Sequence, residues 1–260
     1  MRLISLITDF GLKDNFVGVM KAIILKINPR AQIVDICHEV KPQGLLEAAF
    51  LLRGSFRYFP RGSVHLVVVD PGVGSQRKKI IAKTKNYYFI GPDNGVLTLA
   101  LRNEPPIDII EITRQRYFLK PISDTFHGRD VFAPVAAYLS NRKDTRKFGR
   151  RIKSIQELSL PKVKVNPKTL AGEIIYIDRF GNLVSNIDKD MFQSFAKNKK
   201  FKIFLKDKTI DRLSFSYTEG KHLKPLALMD SFNYLEIALS CGSACDYLKA
   251  KTGTKVLVSR

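Results

Sequence analysis

Short apolar runs alternate with helical patterns over the first half of the chain. Apolar runs predict strands at residues 3–8, 32–36, 63–69, 80–84, 87–90 and 107–112, and patterns of helical spacing predict helices at 16–27, 44–56 and 131–139. Asp14 is expected to cap the first helix, which Asn28 and Pro29 should end. Strands that alternate with crossover helices favour a mainly parallel sheet with helices on both faces.

The second half of the chain has a different pattern. Charged residues dominate positions 141–168, with Pro161 and Pro167 in an extended, linker-like stretch. Beyond it, short strand-like runs at 171–177, 183–187, 201–205, 234–238 and 255–259 predict a small β-barrel or sandwich. We therefore predict an α/β N-terminal domain with a mainly parallel central sheet at 1–158, including a basic tail, a linker at 159–169, and a small C-terminal β-barrel domain at 170–260.

Composition narrows the class of protein. The chain has 260 residues, 45% of them hydrophobic, which is ample for a sizeable core. No apolar run approaches the roughly 20 residues that a membrane helix needs, and the apolar start is too short for a signal peptide. Three cysteines form no disulfide framework. We expect a reduced, cytoplasmic protein with no membrane partner.

A net charge of +20 is the strongest compositional signal. Such an excess of basic residues can mark a nucleic-acid surface, or it can be a solvated lysine-rich face. No motif of an RNA- or DNA-binding module accompanies the charge. Nucleic acid is therefore not expected to be the principal partner.

Three polar segments follow predicted strands or precede a predicted helix. They are Thr8-Asp9-Phe10-Gly11, the stretch from Asp70 to Arg77, and Thr125-Phe126-His127-Gly128-Arg129-Asp130. Ligands of open α/β sheets settle at the carboxyl ends of strands, so these segments can converge on one pocket.

Each of these segments alone is weak evidence for a site. An aspartate after a strand is more often a turn or a helix cap, and His127 alone is as often structural as catalytic. Gly72-Val73-Gly74 lacks the rest of a phosphate-binding fingerprint. The histidines and cysteines show no metal-ligand spacing, so we expect no metal and no cofactor.

Together, however, these strings resemble one family. Thr-Asp-Phe-Gly from Thr8, Val-Asp-Pro-Gly-Val-Gly-Ser from Val69, Gly-Pro-Asp-Asn-Gly from Gly91 and Phe-His-Gly-Arg-Asp from Phe126 are similar to motifs of the S-adenosyl-L-methionine hydroxide adenosyltransferases. Asp178 to Asn186 and Ser231 to Ala238 continue the resemblance, which covers nearly the whole chain in order. These enzymes are relatives of the fluorinating and chlorinating enzymes that use the same substrate.

The resemblance implies roles for particular residues. Asp70, Arg77 and His127 would handle an attacking water, and Asp9 would bind the ribose hydroxyls. Asp178 and Ser231 would hold the amino acid group of methionine, and Phe180 and Asn182 would flank the adenine. Further substrate contacts are expected from Asn94, Tyr234, Glu236 and Ala238, although Glu236 is equally an ordinary strand residue. The family also implies homotrimers with active sites between subunits.

The implied chemistry suits this set of side chains. The 5′ carbon beside a cationic sulfonium is an electrophile, and methionine leaves as a neutral thioether that needs no general acid. The protein must only orient and activate a water, which a carboxylate and an imidazole can do by sharing its proton. The expected reaction is therefore hydrolysis of S-adenosyl-L-methionine, the substrate, to adenosine and L-methionine.

Two alternatives stay open. Halogenation of the same carbon is the first, but the halogenating relatives carry tyrosine at the position of Asp70, threonine at Val73 and serine at Gly128. A carboxylate at Asp70 would repel a halide, so water is favoured. The second is a non-catalytic protein that binds adenosine or S-adenosyl-L-methionine, for which the Asp70, Arg77 and His127 trio would be unnecessary.

Overall fold

The computed structural model describes residues 2–197, 199–221 and 223–260. The chain forms two compact units, Met1–Leu158 and Ser159–Arg260. Each unit has its own hydrophobic core.

The first unit is built on a seven-stranded sheet. Its strands are β1 (Ile4–Thr8), β2 (Ile33–Cys37), β3 (Val64–Val68), β4 (Lys79–Thr84), β5 (Tyr88–Pro92), β6 (Pro106–Ile112) and β7 (Gly149–Arg151). They lie in the order β2-β1-β3-β5-β4-β6-β7. The pairs among β2, β1, β3 and β5 are parallel, whereas β4 runs antiparallel to both of its neighbours and β7 runs antiparallel to β6.

Helices cover both faces of this sheet. They are α1 (Phe16–Ile27), α2 (Leu45–Ser55), α3 (Thr98–Asn103) and α4 (Ala133–Ser140). Side chains alternate along the strands, so Leu6 packs in one core with α1 and α4, while Ile7 packs in the other with α2 and α3. Burial on both faces explains why β1 and β3 are largely apolar, and the buried polar side chains of Ser5 and His65 hydrogen-bond to each other at 2.7 Å.

The second unit is a curved, mostly antiparallel sheet. Its strands are β8 (Lys164–Val165), β9 (Thr169–Ile177), β10 (Leu183–Asp188), β11 (Lys202–Leu205), β12 (Lys208–Ile210), β13 (Pro225–Met229), β14 (Tyr234–Leu239) and β15 (Lys255–Ser259). The order is β12-β11-β15-β9-β10-β14-β13, with β8 paired to β9. A bridge from Leu213, just after β12, to Ala227 in β13 brings the two edges together. Helices α5 (Lys189–Ala196) and α6 (Ala244–Leu248) complete the unit.

The predicted fold class is therefore confirmed: a mainly parallel α/β unit precedes a small barrel-like unit. Within the described residues, no helix combines the length and the apolar character needed to cross a bilayer.

Several details differ from the expectations, and helices α3, α5 and α6 and strands β12 and β13 were not predicted. The predicted cap at Asp14 is wrong, because the N-cap residue of α1 is Asn15, whose backbone is already helical (φ −80°, ψ −2°) and whose side chain makes no capping bond. The charged stretch after residue 141 also contains an ordered strand, β7, which pairs with β6. The predicted domain boundaries stay predictions.

Candidate active site

The first part of the candidate site lies where two neighbouring strands end. Strands β1 and β3 are parallel partners, so Asp9 and Asp70, which follow them, lie at the same edge of the sheet. Arg77 comes just before β4, at the end of the loop that Asp70 begins. His127 precedes a turn of π-helix at Gly128–Phe132 that leads into α4.

The structure brings Asp70, Arg77 and His127 into one hydrogen-bonded cluster. Arg77 Nε donates to Asp70 Oδ1 at 2.8 Å, and Arg77 Nη2 donates to Asp70 Oδ2 in a second, short contact. The same Nη2 lies 2.9 Å from His127 Nδ1. The side chains of Arg77 and Asp70 are only 8% and 6% exposed. This is a bidentate, charge-assisted pair with an imidazole attached.

Two tight loops hold this cluster together. Gly74 has φ +78°, and a Cβ there would lie 2.7 Å from the backbone oxygen of Asp124, in the loop that carries His127. Glycine is therefore required for the loops to approach. On the other side, the buried Asp130 carboxylate accepts from the backbone nitrogen of Ser123 at 2.8 Å and from Arg129 Nε at 2.6 Å. Asp130 thus fixes both ends of the His127 loop.

The electrostatic environment favours the neutral form of His127. Burial lowers the pKa of His127, and the charges of Arg77 and Lys79 lower it further. Burial and the charge of Arg77 likewise lower the pKa of Lys79. Lys79, at the start of β4, was not singled out in the sequence, because nothing local distinguishes it from the many other lysines.

Asp9 and Asn94 both bind backbone near this edge. Asp9 Oδ2 accepts from the nitrogen of Gln43 at 2.8 Å. Asn94 Nδ2 donates to the oxygen of Val69 at 2.9 Å, and Asn94 Oδ1 accepts from the nitrogen of Val96 at 3.2 Å. Asn94 thereby stabilises the residue next to Asp70.

In the second unit, Asp178 organises the turn between β9 and β10. Its Oδ1 accepts from the backbone nitrogens of Phe180 and Asn182 at 2.9 and 2.8 Å, and its Oδ2 accepts from Asn182 Nδ2 at 2.9 Å. This turn leaves the Phe180 side chain 76% exposed. A large exposed aromatic side chain beside an ordered carboxylate is suited to stacking on a ligand.

The loop before β14 carries Ser231, and Asp230 organises it. Asp230 Oδ1 accepts from the nitrogens of Phe232 and Tyr234 at 2.9 and 2.7 Å. Ser231 lies exposed on this loop, and Tyr234 is half-buried at the start of β14. Asp230 was not singled out in the sequence. It directly precedes the motif from Ser231 to Ala238, and this position was the signal that could have identified it.

Glu236 and Ala238 share the face of β14 opposite to the main core of the second unit, into which Leu235 and Ile237 pack. Glu236 is 3% exposed, and Tyr217 donates its hydroxyl to Glu236 Oε1 at 2.9 Å. Burial raises the pKa of Glu236 to about 7, and the charges of Asp230 and Asp178 also raise it, whereas the bond from Tyr217 lowers it. Burial and the contact with Glu236 raise the pKa of Tyr217.

Ala238 is fully buried beside Leu226 and Leu228. Tyr217 was missed in the sequence, because only the folded chain brings it to Glu236. Across the residues that the structure describes, no group of three or more His, Cys, Asp or Glu side chains is arranged to hold a metal ion.

Comparison with known proteins identifies the family. Residues 4–149 match the model of the SAM hydroxide adenosyltransferase N-terminal domain, and residues 172–257 match that of its C-terminal domain. The chain belongs to the S-adenosyl-L-methionine hydroxide adenosyltransferase family, as its motifs indicated.

Similar proteins include several named (R)-S-adenosyl-L-methionine hydrolase and several named fluorinase. An (R)-S-adenosyl-L-methionine hydrolase of Methanocaldococcus jannaschii is 43% identical, over 72% of this chain and 68% of its own length. A hydrolase of the same name from Thermus thermophilus is 34% identical, over 98% and 99%. A fluorinase of Actinopolyspora mzabensis is 25% identical, over 99% and 97%.

The fold also matches a solved structure. The crystal structure of an uncharacterized conserved protein from Thermotoga maritima has a TM-score of 0.93 and 38% identity, covering 99% of this chain and all of its own.

Proposed function

We propose that this protein hydrolyses S-adenosyl-L-methionine to adenosine and L-methionine. The observation that carries the proposal is the cluster of Asp70, Arg77 and His127, in which a buried carboxylate and an imidazole contact one guanidinium. Support also comes from relatives named (R)-S-adenosyl-L-methionine hydrolase at 29–43% identity, against 25–26% for those named fluorinase.

The reaction is a displacement at the 5′ carbon of the ribose. Water oxygen forms a bond to this carbon while the carbon–sulfur bond breaks, and its electron pair goes to sulfur. The sulfonium becomes the neutral thioether of methionine, and water loses one proton. Because the leaving thioether needs no proton, the reaction does not require a general acid. Alignment of the water with the carbon–sulfur bond lowers the barrier by up to about 7–11 kcal/mol.

The hydrogen bonds suggest which atom receives that proton. Arginine only donates, so His127 Nδ1 accepts from Arg77 Nη2 and the hydrogen of the neutral imidazole is on Nε2. His127 would then donate from Nε2 to the water oxygen and orient it. Asp70 would accept the proton, while Arg77 holds the carboxylate in position with two hydrogen bonds. Proton transfer of this kind contributes about 100- to 10,000-fold.

The remaining predicted residues would hold the substrate. We propose that Asp9 and Asn94 lie near the ribose, that Asp178 and Ser231 bind the amino acid group, and that Phe180 and Asn182 flank the adenine. The ordered turn at Asp178 and the exposed ring of Phe180 support these assignments. Tyr234, Glu236 and Ala238 would complete the site from β14.

The oligomeric state and the cellular location proposed for this enzyme rest on the family resemblance. We propose a cytoplasmic homotrimer in which residues of two subunits form each active site, with no cofactor besides the substrate. Sedimentation with and without S-adenosyl-L-methionine tests the oligomeric state, and a monomer that turns over at the full rate would refute the shared site.

One incubation tests the reaction itself. The protein is supplied with S-adenosyl-L-methionine and chloride in oxygen-18 water, each sulfonium epimer in a separate reaction, and the nucleosides are analysed by mass spectrometry. We expect adenosine with the heavy oxygen at the 5′ position, from the (R) epimer because the relatives are named for it. A 5′-chlorinated nucleoside would indicate a halogenating enzyme, and an unchanged substrate would indicate a binding protein.

A further inference from the structure

A basic cleft lies at the edge of the first unit's sheet opposite to Asp70. Two adjoining cavities of about 670 and 660 Å³ form it, and both are lined by Arg2, Lys83, Tyr88 and Ile107. Tyr88 begins β5, and its neighbours Lys83 in β4 and Asp108 in β6 continue the same edge. Asp9 and Asp70 follow the other ends of β1 and β3, so the cleft is separate from the proposed active site.

The charge of this cleft is almost entirely positive. Six basic side chains line the first cavity and four line the second, with Arg2 and Lys83 common to both. Among the described residues, the acidic side chains of the lining are Asp108 and Asp144. Each already has a partner, Arg151 at 2.8 Å and Arg146 at 2.9 Å.

The other basic side chains have no carboxylate within ion-pair distance in the described part of the chain. Arg2 donates to the backbone oxygen of Leu139 at 2.7 Å and to the hydroxyl of Tyr88 at 2.9 Å, both neutral groups. Lys143 lies over the rings of Tyr117 and Tyr138. Arg61, Lys85 and Arg142 are exposed around the two cavities. Like charges so close together repel each other, and a bound polyanion would relieve that cost.

We propose that this cleft binds a single-stranded nucleic acid through its phosphates, with little sequence preference. Two adjoining cavities along a sheet edge accommodate several successive phosphates of a narrow strand. A flat lipid surface does not reach Arg2 and Lys83, which are half-buried within the cleft. Ile107, which is 57% exposed, gives bases an apolar contact but no pattern of donors that reads sequence. One face of the Tyr88 ring is already covered by the Arg2 guanidinium, 4.3 Å from the ring centre.

This inference differs from what composition alone suggested. The sequence lacks the motif of any nucleic-acid module, and its positive charge is also what a solvated lysine-rich face would carry. The folded chain instead gathers Arg2, Arg61, Lys83, Lys85 and Arg142 from separate segments into one concave surface. The inference does not depend on the proposed hydrolysis, because none of these residues belongs to the active site.

The test measures binding of a fluorescein-labelled oligouridine of about 12 nucleotides by fluorescence anisotropy. If the cleft neutralises about four phosphates of the bound strand, the affinity for the oligouridine should fall about 50-fold between 50 and 200 mM salt. The variant R61E/K85E/R142E should bind at least about tenfold more weakly than wild type and show a shallower salt dependence. The control K199E/K202E/K251E changes the net charge equally on exposed lysines of the second unit and should bind within about threefold of wild type.

Three results would overturn the proposal. They are an equal loss in both triple variants, no loss in the cleft variant, or competition by oligoglutamate as effective as that by unlabelled oligouridine. Melting temperature confirms that the variants fold. If the cleft variant does not fold, Arg61→Gln and Arg142→Gln replace it, and each should reduce the slope of log affinity against log salt by about 0.7. An unchanged slope in both would equally refute the cleft.

Discussion

Asp70 and Glu236 are two poorly exposed carboxylates, one in each unit, with opposite kinds of partner. Asp70 has a permanent cation at hydrogen-bond distance, since Arg77 binds both of its oxygens. Glu236 has a neutral phenol, Tyr217, and the charges that act on it are those of two acids, Asp230 and Asp178. The first arrangement pairs a carboxylate with an opposite charge, and the second makes ionisation of Glu236 costly near neutral pH. Burial alone therefore does not determine what a carboxylate does.

Removing the guanidinium of Arg77, the cation beside Asp70, should cause the largest loss of stability. Arg77→Ala leaves Asp70 without its opposite charge, so we expect the free energy of unfolding to fall by about 3–5 kcal/mol. Urea unfolding measures this. The control is Arg102→Ala, whose pair with Glu157 is 50% and 60% exposed and should contribute less than about 1 kcal/mol. Equal losses in the two variants would show that Arg77 and Asp70 form an ordinary surface pair.

The environment of Glu236 should make the free energy of unfolding depend on pH by about 2–3 kcal/mol. The pKa of Glu236 is raised from 4.5 to about 7, so the folded state binds the proton more tightly and stability falls as pH rises from 4.5 to 7. Glu236→Gln removes this ionisation. We expect it to be about as stable as wild type near pH 5 and more stable by about 2–3 kcal/mol near pH 8.

Urea unfolding at both pH values provides the comparison for Glu236→Gln. The control Glu173→Gln breaks a surface pair with Lys255 and should change stability by less than about 1 kcal/mol at either pH. Identical pH profiles for wild type and Glu236→Gln would show that Glu236 is ionised without cost.

A smaller loss of stability should separate backbone strain from the contact between the Gly74 loop and the His127 loop. Gly74→Ala and Gly253→Ala both place alanine at positive φ, +78° and +87°, but a Cβ at Gly253 has nothing within 4 Å. Each should lose about 1–2 kcal/mol from backbone strain. Only Gly74→Ala should also reduce turnover, by about tenfold or more, because it pushes Asp124 and the His127 loop away from Arg77. Equal turnover in the two variants would mean that the loop contact does not position the cluster.

Local patterns predicted the parts of the fold that are locally encoded. Strands β1 and β3 were found as short, largely apolar runs because both of their faces are buried, and helix α1 was found because burial of one face gives a helical apolar spacing. Strand β7 was missed, because Gly149-Arg150-Arg151 is charged and its pairing with β6 is long-range. A Cβ at Gly149 would lie 1.7 Å from the oxygen of Glu111, so close backbone approach, rather than apolar character, requires this residue.

The candidate site likewise contains residues that the sequence could predict and residues that it could not. Asp70, Arg77 and His127 could be found because their motifs are characteristic of the family. Tyr217 and Lys79 could not, since their roles arise from contacts with residues that lie elsewhere in the folded chain or from shared burial. Asp130 belongs to the same motif as His127, but its bond to the backbone of Ser123 was not predicted. Sequence also gave the amount of positive charge without its placement at the basic cleft.

The most direct test of the central claim compares turnover with substrate binding in Asp70→Asn and His127→Ala. If these side chains activate a water, saturating turnover should fall at least about 100-fold in each, while the dissociation constant for S-adenosyl-L-methionine, measured by calorimetry, stays within about tenfold of wild type. Normal turnover at saturation together with a large loss of binding would contradict the account and make both residues substrate holders only.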